Sequence, residues 1–135
     1  MALDSLLEMW NKACATKDPL RKIAVLQSLR EHAERANPKA QAVMKAGLGD
    51  TESGIRVEAC RAVAAQRMKS AVQPLAALAD KFDGKDNETA KHAFLALAQI
   101  GDLSGLKVFT GSAWESKDRD VLVTRIFAIR YMRSP

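Results

Sequence analysis

An all-α fold is predicted for this 135-residue chain by its composition, its hydrophobic periodicity and an internal repeat. Only 5% of the residues are aromatic, and alanine and leucine abound, which favours close contact between helices over β-sheet. Apolar residues recur with a period of about 3.6, and no stretch alternates as a half-buried strand would. The length suits one domain, and 47% hydrophobic with 27% charged residues is ordinary for a folded protein.

Three helices are predicted in the first third of the chain, over residues 4–15, 18–36 and 37–49. The dipeptides Asp18-Pro19 and Asn37-Pro38 each place a capping side chain before a proline, which is a typical helix start. The predicted buried stripes are, in order, Leu6, Leu7, Trp10 and Cys14; Ile23, Leu26, Leu29 and Ala33; and Ala40, Val43 and Met44.

Five more helices are predicted after residue 50. The fourth starts near Ser53, the fifth stops before Gly84, and Asp86 or Asn87 caps the sixth. A short seventh helix follows Gly101, and Asp118 or Asp120 opens the eighth. Their predicted stripes are Ile55, Ala59, Cys60 and Val63; Val72, Leu75, Leu78 and Phe82; Ala90, Ala93, Phe94, Leu97 and Ile100; Leu103, Leu106 and Phe109; and Leu122, Ile126, Ile129 and Met132.

These helices contain a repeated segment. Residues 25–29, 59–63 and 93–97 align at offsets of 34, and residues 125–129 follow 32 positions later. Each copy places a small residue just before a large aliphatic one. A repeat of this length indicates helical hairpins that bury their apolar faces by stacking on their neighbours. We expect the small residues, Ser28, Ala62, Ala96 and Ala128, to lie where hairpins approach closely.

The clearest copy resembles a HEAT repeat. That pattern has an acidic residue, an apolar–Arg pair, an alanine-rich first helix and an Ala-Val-x-Pro-Leu-like second helix. Here Asp50 or Glu52, Ile55-Arg56 and Ala59 match the first half, and residues 71–75 match the second. The period also equals that of tetratricopeptide repeats, but their Trp, Gly and Tyr landmarks are missing. The resemblance implies a right-handed α-solenoid of HEAT-like (armadillo-type) hairpins with about eight helices.

The resemblance divides the single domain, 1–135, into stacked units. We expect an N-terminal capping helix over 1–17, repeats over 18–49, 50–84 and 85–116, and a C-terminal half-repeat over 117–135. A half-repeat would leave Ile126, Ile129 and Tyr131 partly uncovered, and uncovered apolar patches often mark self-association; the sequence leaves the oligomeric state open, with a homo-oligomer through this end as one alternative. An alternative is that the chain is the terminal solenoid of a larger enzyme.

Charge, cysteines and the N-terminus exclude several classes of protein. The net charge of +5 is spread along the chain rather than gathered in an arm, so nucleic-acid binding is not favoured. Cys14 and Cys60 are far apart and fall in helical patterns, which predicts buried free thiols rather than a disulfide or zinc site. No signal-peptide pattern and no membrane-spanning run is present, so we expect a cytoplasmic protein.

No coherent catalytic set is visible, and we expect no enzyme, no cofactor and no metal. His32 and His92 lie in different repeats, and the His-Glu pairs of HEAT-like iron hydroxylases are absent. Trp114 and Asp118 resemble in type the Trp and Asp of HEAT-like DNA glycosylases, but they also suit a hinge and a helix cap. No GxSxG motif or phosphate-binding loop occurs.

The expected function is therefore protein binding by a non-catalytic scaffold. Solenoids bind partners on their concave side, which the second helix of each HEAT-like hairpin usually lines. The candidate partner-binding residues are Gln41, Lys45, Gln73, Lys81, Lys107 and Trp114. The lysines favour an acidic protein partner. The alternative is an enzyme-associated domain, because short HEAT-like repeats also resemble those of bilin lyases.

Overall fold

Seven α-helices account for most of residues 2–32, 34–101 and 119–133, which are the residues described by a computed structural model of the chain. A single 3-10 turn, Lys69–Ala71, leads into the fifth helix, and these ranges contain no strand. The helices are α1 (Leu3–Thr16), α2 (Pro19–Arg30), α3 (Pro38–Leu48), α4 (Ser53–Ala65), α5 (Val72–Phe82), α6 (Asn87–Ile100) and α7 (Arg119–Arg133). The predicted all-α class is confirmed.

The helices stack in two layers. In the first layer, α2, α4, α6 and α7 each pack against the next, and in the second layer α1, α3 and α5 do the same. The layers are joined by α1 on α2, α3 on α4 and α5 on α6. This stacking is that of an α-solenoid. The predicted seventh helix lies outside the described residues, and α7 is the predicted eighth helix.

The helix starts follow the capping signals of the sequence. The Asp18 side chain accepts a hydrogen bond from the Arg21 backbone N–H (3.1 Å), and the Asn37 side chain accepts one from Lys39 (2.9 Å). Asp86 caps α6 by accepting from the Thr89 N–H (3.4 Å). At the other end of α6, Gly101 takes the left-handed conformation (φ 72°), which a residue without a Cβ adopts readily.

The predicted end of the second helix is wrong. Helix α2 ends at Arg30 rather than near Ala36. In the turn that follows, the His32 ring nitrogen Nδ1 accepts a hydrogen bond from the Glu34 N–H (3.0 Å). This hydrogen bond gives the Glu34 N–H a side-chain acceptor in place of the backbone carbonyl that it would bond in a continued helix. The chain must also become extended at Asn37, because a residue before proline avoids the helical conformation.

Two of the residues predicted to be buried are exposed. Ala62, Ala96 and Ala128 are buried, as predicted, and each lies on a helix that packs against a preceding first-layer helix. Ser28 is exposed, contrary to prediction, because α2 begins the layer and has no predecessor. Cys14 is also exposed, and Ala13 is buried in its place. One helical position rotates a side chain by about 100°, so a periodic stripe can be misassigned by one residue.

The stripe predicted for the last helix is displaced by one position. Val121, Arg125 and Ala128 are the buried residues of α7, whereas Ile126 is 36% exposed. Leu122 and Ile129 are only partly buried, and the side chain of Met132 lies outside what is described. Within the buried set, the Arg125 guanidinium lies 4.8 Å from the centre of the Phe94 ring on α6, the helix against which α7 packs. None of the helices in the described ranges is long and apolar enough to cross a membrane.

Candidate binding surfaces

Ion pairs at equivalent positions of the repeat tie successive first-layer helices together. Lys22 on α2 donates from Nζ to Oδ2 of Asp50, just before α4, at 2.7 Å. One repeat later, Arg56 on α4 donates from Nη2 to Oδ2 of Asp86, just before α6, at 2.6 Å. Each cation also lies over an aromatic ring, with Arg56 4.1 Å from the centre of Phe82. The acidic and basic residues of the repeat pattern therefore form inter-repeat contacts.

Asp86 is the most heavily hydrogen-bonded carboxylate described. Besides Arg56, it accepts from Ser53 Oγ (2.7 Å) and from both the hydroxyl and the backbone N–H of Thr89. Burial alone would raise the pKa of Asp86, but the bonds from Thr89, Ser53 and Arg56 outweigh it and hold the pKa well below its usual value. Asp86 therefore stays ionised and joins α4 to α6.

The other pKa shifts also reflect structural roles. The hydrogen bond to Asp50 is the main cause of a raised pKa at Lys22. Burial raises the pKa of the Cys60 thiol to about 12, against a smaller opposing effect of Arg56. A thiol with so high a pKa has almost no thiolate at neutral pH and is a poor nucleophile. Burial, together with the nearby charge of Arg61, lowers the pKa of His92.

A groove of about 580 Å³ lies near the N-terminal end. It is lined by Trp10, Cys14, Lys17, Pro19, Lys22, Ala46, Gly49, Asp50, Thr51, Glu52 and Ile55. The Lys22–Asp50 ion pair lies in its wall, and the ammonium of Lys22 is 5.6 Å from the Trp10 ring centre. Of the charged side chains in this lining, Lys22 and Asp50 are therefore engaged with each other.

A second surface lies where α6 meets α7, and it is apolar. Val123, Phe127 and Tyr131 are 56%, 59% and 53% exposed, and Leu95 is 38% exposed. A shallow groove of about 350 Å³ runs between the two helices, lined by Arg67, Leu95, Ala98, Gln99, Phe127 and Tyr131. We call Leu95, Val123, Ile126, Phe127 and Tyr131 the C-terminal apolar surface. Large exposed side chains gathered in this way commonly mark an interaction site.

Comparison with known protein families agrees with the stacked hairpins. A family model of HEAT repeats matches residues 42–130, from α3 to α7. The chain belongs to the HEAT-repeat family. Proteins built from HEAT repeats are commonly protein-interaction scaffolds and are generally non-catalytic. A search of curated protein sequences found no matching relative.

The HEAT-repeat fold places four of the six predicted partner-binding residues on neighbouring helices. Gln41 and Lys45 lie one turn apart on α3, and Gln73 and Lys81 lie on α5, which packs against α3 in the second layer. Gln41 is partly buried and the other three are exposed. The Lys81 ammonium is 5.3 Å from the centre of the Phe82 ring. The remaining two, Lys107 and Trp114, fall outside the described residues.

The sequence raised two other possibilities for a HEAT-repeat chain, a metal site and a DNA-glycosylase site. Within residues 2–32, 34–101 and 119–133, no three His, Cys, Asp or Glu side chains are grouped so that they could hold a metal ion. The Nε2 atom of His92 lies 3.8 Å from Oε2 of Glu88, which is one turn earlier in α6. The glycosylase-like pair Trp114 and Asp118 lies outside these ranges.

Part of the C-terminal apolar surface could be predicted from the sequence. Exposure of Ile126 and Tyr131 was expected from the half-repeat, and both are exposed. Val123 and Phe127 were missed. The available signal was a second apolar row, spaced by four residues, beside the predicted row of Leu122 and Ile126. A helix that is apolar on most of its circumference is typically buried against other parts of the protein or against a partner.

Proposed function

We propose that this chain is a non-catalytic protein-binding module that recognises an acidic partner on the face lined by α3 and α5. This is the face expected from the sequence to be concave. The candidate contacts are Gln41, Lys45, Gln73 and Lys81, and the predicted residues Lys107 and Trp114 belong to the same proposal. The observation that carries it is the contrast in how polar side chains are used in the two layers.

On the first-layer helices α2 and α4, the charged side chains at equivalent positions of the repeat are engaged with carboxylates of the next repeat. Lys22 pairs with Asp50, and Arg56 pairs with Asp86. By contrast, the exposed side chains of Lys45 and Gln73 make no ion pair or hydrogen bond with any part of the chain that the structure describes. Their donors are thus available to a partner, and a carboxylate-rich surface would satisfy them.

The test is capture of partners from the source cell with two matched double variants. Lys45→Glu/Lys81→Glu reverses two charges on the proposed face. Lys12→Glu/Lys85→Glu makes the same change in net charge at exposed positions that lie on neither α3 nor α5. Proteins recovered by the wild type and identified by mass spectrometry should be lost with the first variant and retained with the second.

The affinity for a recovered partner gives the sharper measurement. Reversing two charges at an interface should weaken binding by roughly tenfold or more, and the effect should shrink as salt is added. Equal recovery and equal affinity for both variants would refute the site. Loss with both variants would assign the effect to net charge alone, which also contradicts the proposed face.

A further inference from the structure

The C-terminal apolar surface, on α6 and α7, differs from the corresponding surface of the first-layer helices α2 and α4. The positions equivalent to Phe127 are Gln27 on α2, Arg61 on α4 and Leu95 on α6, at the offsets of the repeat. Arg61 donates from Nη1 to Glu58 Oε1 at 3.0 Å, so this face is polar on α4. The outward face therefore changes from polar to apolar at α6 and α7.

A second difference lies on the side of α7 that faces away from α6. The equivalent positions Leu26, Cys60 and Phe94 are at most 1% exposed, and each lies on a helix that packs against a following first-layer helix. Ile126, at the same position on α7, is 36% exposed. Helix α7 thus presents apolar side chains at two adjoining positions, where α2 and α4 present one polar residue, Gln27 or Arg61, and one buried residue.

We propose that a second copy of this chain covers the C-terminal apolar surface, with α7 packed antiparallel against α7 of the other copy. This proposal does not depend on the partner proposed for α3 and α5. A two-fold interface must be complementary to itself. The exposed residues Val123, Phe127 and Tyr131 of α7 can be complementary to themselves, because Val123 and Tyr131 lie about 6 Å on either side of Phe127 along the helix.

In an antiparallel pair centred on Phe127, each Phe127 meets its equivalent and each Val123 lies beside a Tyr131 of the other copy. Side chains spaced by four residues form one of the helix ridges that interdigitate between packed helices. Leu95 and Ala98, on α6, extend the contact into the groove beside Phe127. The pairing therefore covers apolar side chains of both α6 and α7.

The size of the surface suits a weak dimer. With about 150–250 Å² for each aromatic side chain, half-exposed Phe127 and Tyr131 present on the order of 200 Å² per chain, and the other three residues roughly double this. That is a typical size for the largest apolar patch of a monomer, and such patches are often functional. Interfaces below about 1,200 Å² in total are usually transient, so we expect dissociation constants in the micromolar range.

Charge distinguishes a second copy from an acidic partner. The groove is bordered by Arg67, and Arg119 and Arg130 are exposed on α7. The chain itself carries a net charge of +5, so two copies repel each other. Self-association should therefore strengthen with added salt, since screening reduces the repulsion. Binding of an acidic helix at the same surface would weaken with salt.

Sedimentation equilibrium of the full chain tests the proposal. Concentrations from about 5 to 500 µM span the micromolar range of the expected dissociation constant. The wild type should show a monomer–dimer equilibrium that shifts towards dimer between low and high salt. Phe127→Gln should raise the dissociation constant at least tenfold, and Val123→Gln should act in the same direction. Leu20→Gln is the matched control, because Leu20 is 78% exposed on α2, far along the layer from α7.

A cross-linking experiment tests the geometry. In a Cys14→Ser background, Phe127→Cys places a thiol on the two-fold axis, where a disulfide between copies can form under mild oxidation. Leu20→Cys in the same background should not form one at equal concentration. Circular dichroism verifies that each variant is folded. A chain that stays monomeric at the highest concentration, or a dimer that Phe127→Gln and Val123→Gln leave unchanged, would overturn the proposal.

Discussion

Asp86→Ala tests whether inter-repeat hydrogen bonding, rather than helix capping alone, holds the stack together. The substitution removes one carboxylate that accepts from Thr89, Ser53 and Arg56. Loss of an N-cap costs about 1 kcal/mol. A hydrogen bond to a charged group contributes about 1.5–3 kcal/mol, but Asp86 is partly exposed, so water replaces part of the loss. We expect a total decrease in the free energy of unfolding of about 3 kcal/mol.

Asp18→Ala is the matched control. Asp18 also caps a first-layer helix, but within the described residues the hydrogen bond and the ion pair of its side chain both go to Arg21 of its own helix. Its removal should cost about 1 kcal/mol, leaving roughly 2 kcal/mol as the contribution of the inter-repeat contacts of Asp86. Urea unfolding followed by circular dichroism at 222 nm measures both values, with near-ultraviolet dichroism to verify that the transition is two-state. Equal losses for Asp18→Ala and Asp86→Ala would refute the structural role of the ion pair.

A double-mutant cycle isolates the pair itself. Arg56→Met keeps much of the aliphatic packing over Phe82 while it removes the donors to Asp86. If the two residues act together, the double variant should be more stable than the sum of the single losses implies, by about 1–2 kcal/mol. Strict additivity would show that Asp86 and Arg56 stabilise the fold separately.

Three further predictions follow from the same structure. Because folding lowers the pKa of Asp86, the unfolded chain binds more protons in acid than the folded chain does. The free energy of unfolding should therefore fall as the pH drops below about 4, and it should fall less steeply in Asp86→Ala. Gly47→Ala should destabilise the chain by about 1–2 kcal/mol, since its Cβ would lie 2.9 Å from the Ala59 side chain, whereas Gly54→Ala should stabilise it by up to about 1 kcal/mol, because its nearest neighbour is 3.4 Å away. In thermal unfolding, a more stable Gly47→Ala would contradict the first prediction and a less stable Gly54→Ala the second. Ellman's reagent should titrate one thiol, Cys14, in the folded chain and two in urea, and a second thiol reacting at the native rate would show that Cys60 is not buried.

The elements of this fold follow closely from local sequence signals. Asp18-Pro19 and Asn37-Pro38 start helices because capping and proline geometry act within one turn of the chain. The repeat offset also correctly places Ala62 and Ala96 at close contacts between helices. Such signals are short-ranged or periodic, so one sequence suffices to recognise them.

The errors share a physical origin in the position of a helix within the stack. Ser28 has the sequence context of Ala62, yet it is exposed because no first-layer helix precedes α2. The sequence places Ile126 both in a buried stripe and at the uncovered end of a half-repeat; it has the context of Phe94 but is exposed, because none of the described helices follows α7 in the layer. Arg125 is buried against α6 with its guanidinium 4.8 Å from the Phe94 ring centre, where periodicity alone would place an aliphatic residue.

The sequence by itself determined the fold class, the repeat and the capping of most helices, because each depends on residues that are close in the chain or equally spaced. Only the tertiary structure decided which face of each helix is covered, since burial depends on whether a neighbouring helix is present. It showed that the acidic and basic residues of the repeat pattern pair across helices. Lys45, on the second layer, is exposed. The tertiary structure also brought Leu95 beside Phe127, and this juxtaposition of residues 32 positions apart forms the C-terminal apolar surface.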